Sequence, residues 1–343
     1  MIHPWTTQAA RFASSWALGM LLTASAQATL ITKAPPKVQT SQGELSGKLT
    51  DGVRAYMGIP YAAPPVGELR WQSPQPPVGW SGTRDGRAFR DRCAQPFSFF
   101  SPKSVNEDCL YLNVHVPDDI GSDKLPVMVW IHGGAFLAGA AADYDMVQLA
   151  RKARAVVVSI NYRLGAFGFF RAPELAAQHQ SSNLGLQDQQ AALRWVQSQI
   201  GRFGGDASRV TLFGHSAGGA SVCLHTVSPA SQGLFQRAIM QSGTCNLLTW
   251  TSPDEMEAQS AGLGVQLGCP NGPGQLACMR DKPAAEVVKA SVPNGNHIKD
   301  VQIRDGLHIL AETPTGEAEL DLVLAMLRAR QLFGGSQSVP GLR

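Results

Sequence analysis

The run Val127-Met128-Val129-Trp130-Ile131 is apolar at every position, the pattern of a strand buried on both faces of a parallel sheet. It breaks into His132-Gly133-Gly134-Ala135-Phe136. A second apolar stretch, Val210-Thr211-Leu212-Phe213, runs straight into Gly214-His215-Ser216-Ala217-Gly218-Gly219, and shorter strand-like segments stand at Leu110–Val114 and Ala238–Met240. A β-rich stretch at 36–60 followed by alternating strand and helix patterns from 110 to about 245 predicts a layered α/β domain. Beyond it, Glu317 to Arg330 has helical periodicity: Leu320, Val323, Leu324 and Leu327 share one face, with acids in the first turn and arginines in the last. Near the start, Arg11 precedes the apolar run Trp16–Leu22, and Ala26-Gln27-Ala28 offers a small-residue cleavage site. Residues 1–28 are therefore expected to be a secretory signal peptide, with the mature chain starting at Thr29 and lying outside the cytoplasm, secreted or periplasmic. No stretch reaches the roughly 18 apolar residues of a membrane span.

The strand ending in Gly-x-Ser-x-Gly names Ser216 as a nucleophile. A strand that reverses sharply into a helix with one side chain exposed at the bend leaves no room for Cβ atoms beside that residue, so small residues flank it. The glycine run at Gly133 and Gly134 has a matching purpose. Acyl transfer builds negative charge on a carbonyl oxygen, and residues without side chains let backbone N–H groups approach it closely. Gly133, Gly134 and Ala217 are the candidate oxyanion donors. Such chemistry needs a base and backbone dipoles and no cofactor. No Cys-x-x-Cys or His-Glu-x-x-His spacing occurs, so no metal is expected.

The order of further motifs resembles the type-B carboxylesterases, the cholinesterase-like branch of the α/β-hydrolases. Gly58-Ile59-Pro60-Tyr61-Ala62, Pro64 to Trp71, Glu107-Asp108-Cys109-Leu110-Tyr111-Leu112-Asn113-Val114, Asn161-Tyr162-Arg163-Leu164-Gly165 and Asn183 to Gln189 all precede the elbow in that family's order. The likeness runs from about residue 38 to about 245 and more loosely to about 314. It implies an α/β-hydrolase fold over 29–343, a mostly parallel central sheet with helices on both faces, and hydrolysis of a small carboxylic ester through an acyl-Ser216 intermediate. It also implies buried ion pairs between Arg70 and Glu107 and between Arg163 and Asp188, and disulfides Cys93–Cys109 and Cys269–Cys278. Cys223 and Cys245, each in apolar surroundings, read as buried free thiols.

The resemblance places the acid and the histidine of the triad far beyond the serine, in that order, and the tail from Phe333 to Arg343 resembles the lead-in to the strand that carries the acid. The chain is expected to be a shortened copy lacking both partners. None of its eight histidines takes the role of base: His225 lies nine residues past Ser216, about two and a half helical turns away, His132 belongs to the oxyanion loop and His215 to the elbow. His115 and His179 lie in scaffold segments, His3 in the leader, and His297 and His308 in exposed loops. Two readings stay open, an ester hydrolase and a catalytically dead cholinesterase-like binding or interaction protein. Composition narrows the partners: 29 basic against 26 acidic residues give a net charge of +3 without a basic stripe, so nucleic acid is not implied. Oligomeric state and acyl preference are not legible.

Overall fold

The computed structural model describes residues 34–99, 101–121, 123–177, 183–245 and 252–291. The expected signal peptide, the 317–330 helix, His3, His179, His297 and His308 lie outside them. Three short strands, β1 (Lys37–Gln39), β2 (Glu44–Ser46) and β3 (Lys48–Thr50), lead into the long β4 (Val53–Pro60). Then come β5 (Thr83–Asp85), β6 (Tyr111–Pro117), β7 (Leu125–Ile131), α1 (Val147–Ala153) and β8 (Val156–Ile160). Helices α2 (Gly165–Phe169), α3 (Pro173–Ala177) and α4 (Leu184–Gln199) precede β9 (Gly205–His215), α5 (Ala217–Val227) and β10 (Arg237–Gln241). Helices α6 (Pro253–Gln266), α7 (Gln275–Arg280) and α8 (Ala284–Ala290) follow.

The main sheet has the order β10-β9-β7-β8-β6-β4-β3. Its β10, β9, β7 and β8 run parallel, whereas β6, β4 and β3 join antiparallel. β1, β2 and β5 form a separate small sheet. Alternation along β7 divides the interior in two. Val127, Val129 and Ile131 face the main cluster with Val196 of α4 and Ala220 of α5, while Trp130 packs with Met146, Ala150 of α1 and Phe213. Helices thus cover both faces, as a sheet with parallel strands requires.

Local chemistry sets the helix limits. α1 stops at Arg154, which takes a left-handed conformation, and α6 starts from a capping box, Ser252 and Glu255 exchanging hydrogen bonds with Pro253 between them. α4 buries Leu184, Asp188, Ala192, Leu193 and Val196 along one stripe.

The two ion pairs sit where the motifs meet. Arg163 grips Asp188 through its backbone N–H and two guanidinium nitrogens at 2.7–3.0 Å, with side chains 3% and 0% exposed. Arg70 donates to Glu107 at 2.7 Å and reaches the carbonyls of Met279, Arg280 and Lys282, tying the end of α7 to the segment after β4 and the loop before β6. Disulfides join Cys93 to Cys109 and Cys269 to Cys278. A third, Cys223–Cys245, corrects the free-thiol reading of those residues. Helix α5 packs on β10, so the turn after β10 brings Cys245 back to within 5.3 Å, Cα to Cα, of Cys223. That is bridging distance, and two apolar contexts 22 residues apart carry no sign of it in one dimension.

Candidate active site

Adjacent parallel strands deliver the site. Ile131, last in β7, pairs with Gly214 near the end of β9, so the chain leaving each strand enters the same region beyond the carboxyl ends, where open α/β sheets build their sites. From β7 emerges His132-Gly133-Gly134-Ala135; from β9, the elbow.

At the elbow, Ser216 holds φ 55° and ψ −121°, a region non-glycine residues rarely enter. Its N–H donates to the Gln241 carbonyl at the end of β10 at 2.8 Å, and its carbonyl accepts from Ala220 at 2.9 Å. Ala217 is buried and opens α5. A Cβ at Gly218 would run into the Ile131 carbonyl, so only glycine lets the helix start this close to β7. Ser216 itself is half-buried and the neighbouring His215 exposed.

The glycine loop lies against this serine. A Cβ built on Gly133 would stand 2.7 Å from the His215 carbonyl oxygen and 3.1 Å from the Ser216 Cβ, so the structure brings Gly133 and Ser216 side by side. Gly134, Ala135 and Phe136 all take positive φ, 112°, 56° and 58°, curling the loop so that Leu137 and Ala138 both donate to the Gly134 carbonyl. Beneath it, the His132 ring stacks on Tyr162 at 4.4 Å between centroids, donates from Nδ1 to the Gly133 carbonyl at 2.8 Å, and has its own carbonyl held by the Tyr162 hydroxyl at 2.9 Å. Burial drops the His132 ring to about 4, leaving it neutral at pH 7 with Nε2 unpaired.

One support of the site carries no sequence signal. The Gln241 carbonyl holds the nucleophile's amide through a main-chain contact that any residue type could make.

No described histidine hydrogen-bonds the Ser216 hydroxyl. His225 is buried with both ring nitrogens committed, Nδ1 to Ser231 Oγ at 2.9 Å and Nε2 to Gln189 Oε1 at 2.8 Å, and burial lowers it to about 3. Gln189 in turn donates to Ser221, whose hydroxyl donates to the Ala217 carbonyl at 3.0 Å. His115, inside β6, is likewise lowered to about 4 by burial. Among the described residues no group of three or more His, Cys, Asp or Glu side chains could hold a metal, and no helix is long and apolar enough to cross a membrane.

Comparison with known proteins places this geometry. The model of the carboxylesterase family matches residues 34–318. The chain is 43% identical over 261 residues to a para-nitrobenzyl esterase of Bacillus subtilis (strain 168), covering 74% of this chain and 52% of that protein. It is 42% identical over 283 residues to a human cocaine esterase, covering 76% and 50%. A solved PNB esterase superposes with a TM-score of 0.72 at 39% identity, over 80% of this chain and 60% of its own. The chain spans about half the length of the curated relatives it matches.

Proposed function

Because the chain belongs to the carboxylesterase family, we propose that its site hydrolyses small carboxylic esters through an acyl intermediate on Ser216. The observation that carries this reading is the contact of the Gly133 loop with Ser216 at the carboxyl ends of two neighbouring parallel strands. In this mechanism Ser216 Oγ attacks the ester carbonyl, and Gly134, Ala217 and Gly133 are the donors for the oxyanion that develops. Removing one such donor typically costs about 10²–10³ in kcat. Collapse of the tetrahedral intermediate expels the alcohol, and water then releases the acid.

Serine needs a neighbouring base to lose its proton. Among the described histidines, His132 is held neutral under the loop and His225 spends both nitrogens elsewhere, so neither stands as that base. No cofactor enters these steps. The leader pattern at 1–28 and three disulfides support an exported protein, secreted or periplasmic.

The test is hydrolysis of p-nitrophenyl butyrate by the chain and by Ser216→Ala. A rate above background that disappears in the alanine variant would support the reading and mean that a base for Ser216 lies within the chain. Equal rates from two folded proteins would sink the reading in favour of a silent, ligand-binding esterase scaffold.

A further inference from the structure

Large apolar side chains on this molecule are mostly buried, which makes one segment conspicuous. Between Cys93 and Cys109, Phe97 is 71% and Phe99 97% exposed, with Val105 at 46%, and Pro102 and Lys103 are exposed beside them. Two bare phenylalanines in one short loop cost solubility, so they call for something to cover them. We propose that this tip adsorbs to a lipid surface, its phenylalanines entering the acyl boundary and Lys103 meeting anionic headgroups.

The loop is preorganised for that. The Cys93–Cys109 disulfide closes it. Gln95 and Ser104 exchange backbone hydrogen bonds at 2.9 and 3.1 Å, Ser98 and Ser101 pair inside them, and Ser101 Oγ donates to Asp143 at 2.8 Å. Exposed side chains carried on a fixed support lose little backbone entropy on binding. Charge suits the same occupant. No acid occurs from Ala94 to Asn106, and of the acids that flank or touch the loop Asp143 and Glu107 are ion-paired with Arg92 and Arg70, while Asp91 and Asp108 accept from the Asn106 amide and the Tyr111 hydroxyl. Lys103 has no acidic partner among the described residues. A cation flanked by aromatic side chains fits a membrane interface, where rings sit at headgroup level and a lysine meets phosphate.

Position gives the adsorption a use. β6 runs antiparallel to β8, with Leu112 opposite Ile160, so Cys109 lies at the carboxyl end of the parallel strands, the end that bears Ser216. Gln95 locks the loop there through both polar groups of the Gly139 backbone, at 2.8 and 3.0 Å, just past the Gly133-Gly134 run. Adsorption through Phe97 and Phe99 would bring esters dissolved in a lipid layer to that end.

Co-sedimentation with vesicles of phosphatidylcholine, and of equimolar phosphatidylcholine and phosphatidylglycerol, tests this without hydrolysis. Wild type is expected to bind both, more tightly with phosphatidylglycerol. Phe97→Ser with Phe99→Ser should weaken partitioning about tenfold per phenylalanine, and Lys103→Gln about fivefold on the anionic vesicles only, with melting temperatures unchanged because all three side chains are exposed. Ser216→Ala must bind as wild type does, which separates this inference from the esterase reading. Absence of wild-type binding, or equal binding by the double variant, overturns it. So does a wild-type dimer in solution that the double variant turns into a monomer, which would make the tip an interface between copies.

Discussion

Acid should unfold this protein through its buried histidines, and His225 isolates the effect. Burial lowers its folded pKa to about 3, against roughly 6.5 in an unfolded chain. The unfolded state therefore binds the extra proton between those values. Stability from keeping His225 neutral is complete above about pH 6.5 and drains away as pH falls toward 3. Around pH 5 the unfolded histidine is almost fully protonated and the folded one almost bare, so the slope is about 1 kcal/mol per pH unit, and about 2 kcal/mol is gone between pH 7.5 and 5. His132 and His115, lowered to about 4, act in the same direction. The perturbation is His225→Gln, whose amide retains a donor toward Gln189 but does not titrate. Urea unfolding at about pH 7.5 and 5 gives four stabilities. The variant should be weaker by about 1–2 kcal/mol at the higher pH for its imperfect hydrogen bonds, yet lose about 2 kcal/mol less on acidification. Parallel pH slopes for the two proteins would refute the claim that His225 is folded as a neutral, doubly bonded imidazole.

Asp188→Asn leaves Arg163 buried without its counter-charge and should cost about 3–5 kcal/mol, read as a lower urea midpoint at unchanged m-value; a loss under about 1 kcal/mol would mean water reaches the pair. Cys223→Ala with Cys245→Ala removes a cross-link spanning 22 residues and should cost about 3 kcal/mol by the loop-closure argument, again measured by urea midpoint, and reductant that opens the same bond in the wild type should close the gap between the two proteins.

The elbow and the glycine loop were legible because each is a local steric demand written in residue type. Gly218 is there because the Ile131 carbonyl occupies the space of a side chain, and the unbroken apolar run of β7 announces burial on both faces. The ion pairs came from motif order, since charge alone does not tell Arg163, 3% exposed, from a surface arginine. Long-range partners were not legible. Cys223 finds Cys245 only because α5 folds back along β10. Phe97 and Phe99 mislead in the opposite way: phenylalanine reads as core in one dimension, and only the folded loop turns both rings outward. Ala238, Ile239 and Met240 read as a strand, as the structure has them, but their apolar side chains give no hint that every residue of β10 is exposed.

That exposed strand bears on the chemistry. Ser216 sits in a backbone conformation that costs of order 1–3 kcal/mol and persists only where its surroundings over-determine it. Three supports do so here. β7 receives the start of α5 through the Gly218–Ile131 approach; the Gln241 carbonyl takes the Ser216 N–H; and Cys223–Cys245 ties α5 to the turn after β10. Two of the three pass through β10 or the turn that follows it. Among the described residues β10 is paired on one side only, with β9, so the strand that fixes the nucleophile's geometry has less support than β7, which is paired on both sides. Fraying of β10 would release the Gln241 carbonyl first, and the strain at Ser216 would relax by straightening the elbow. Whatever holds β10 in register therefore also sets how much of the time Ser216 is held in its strained conformation.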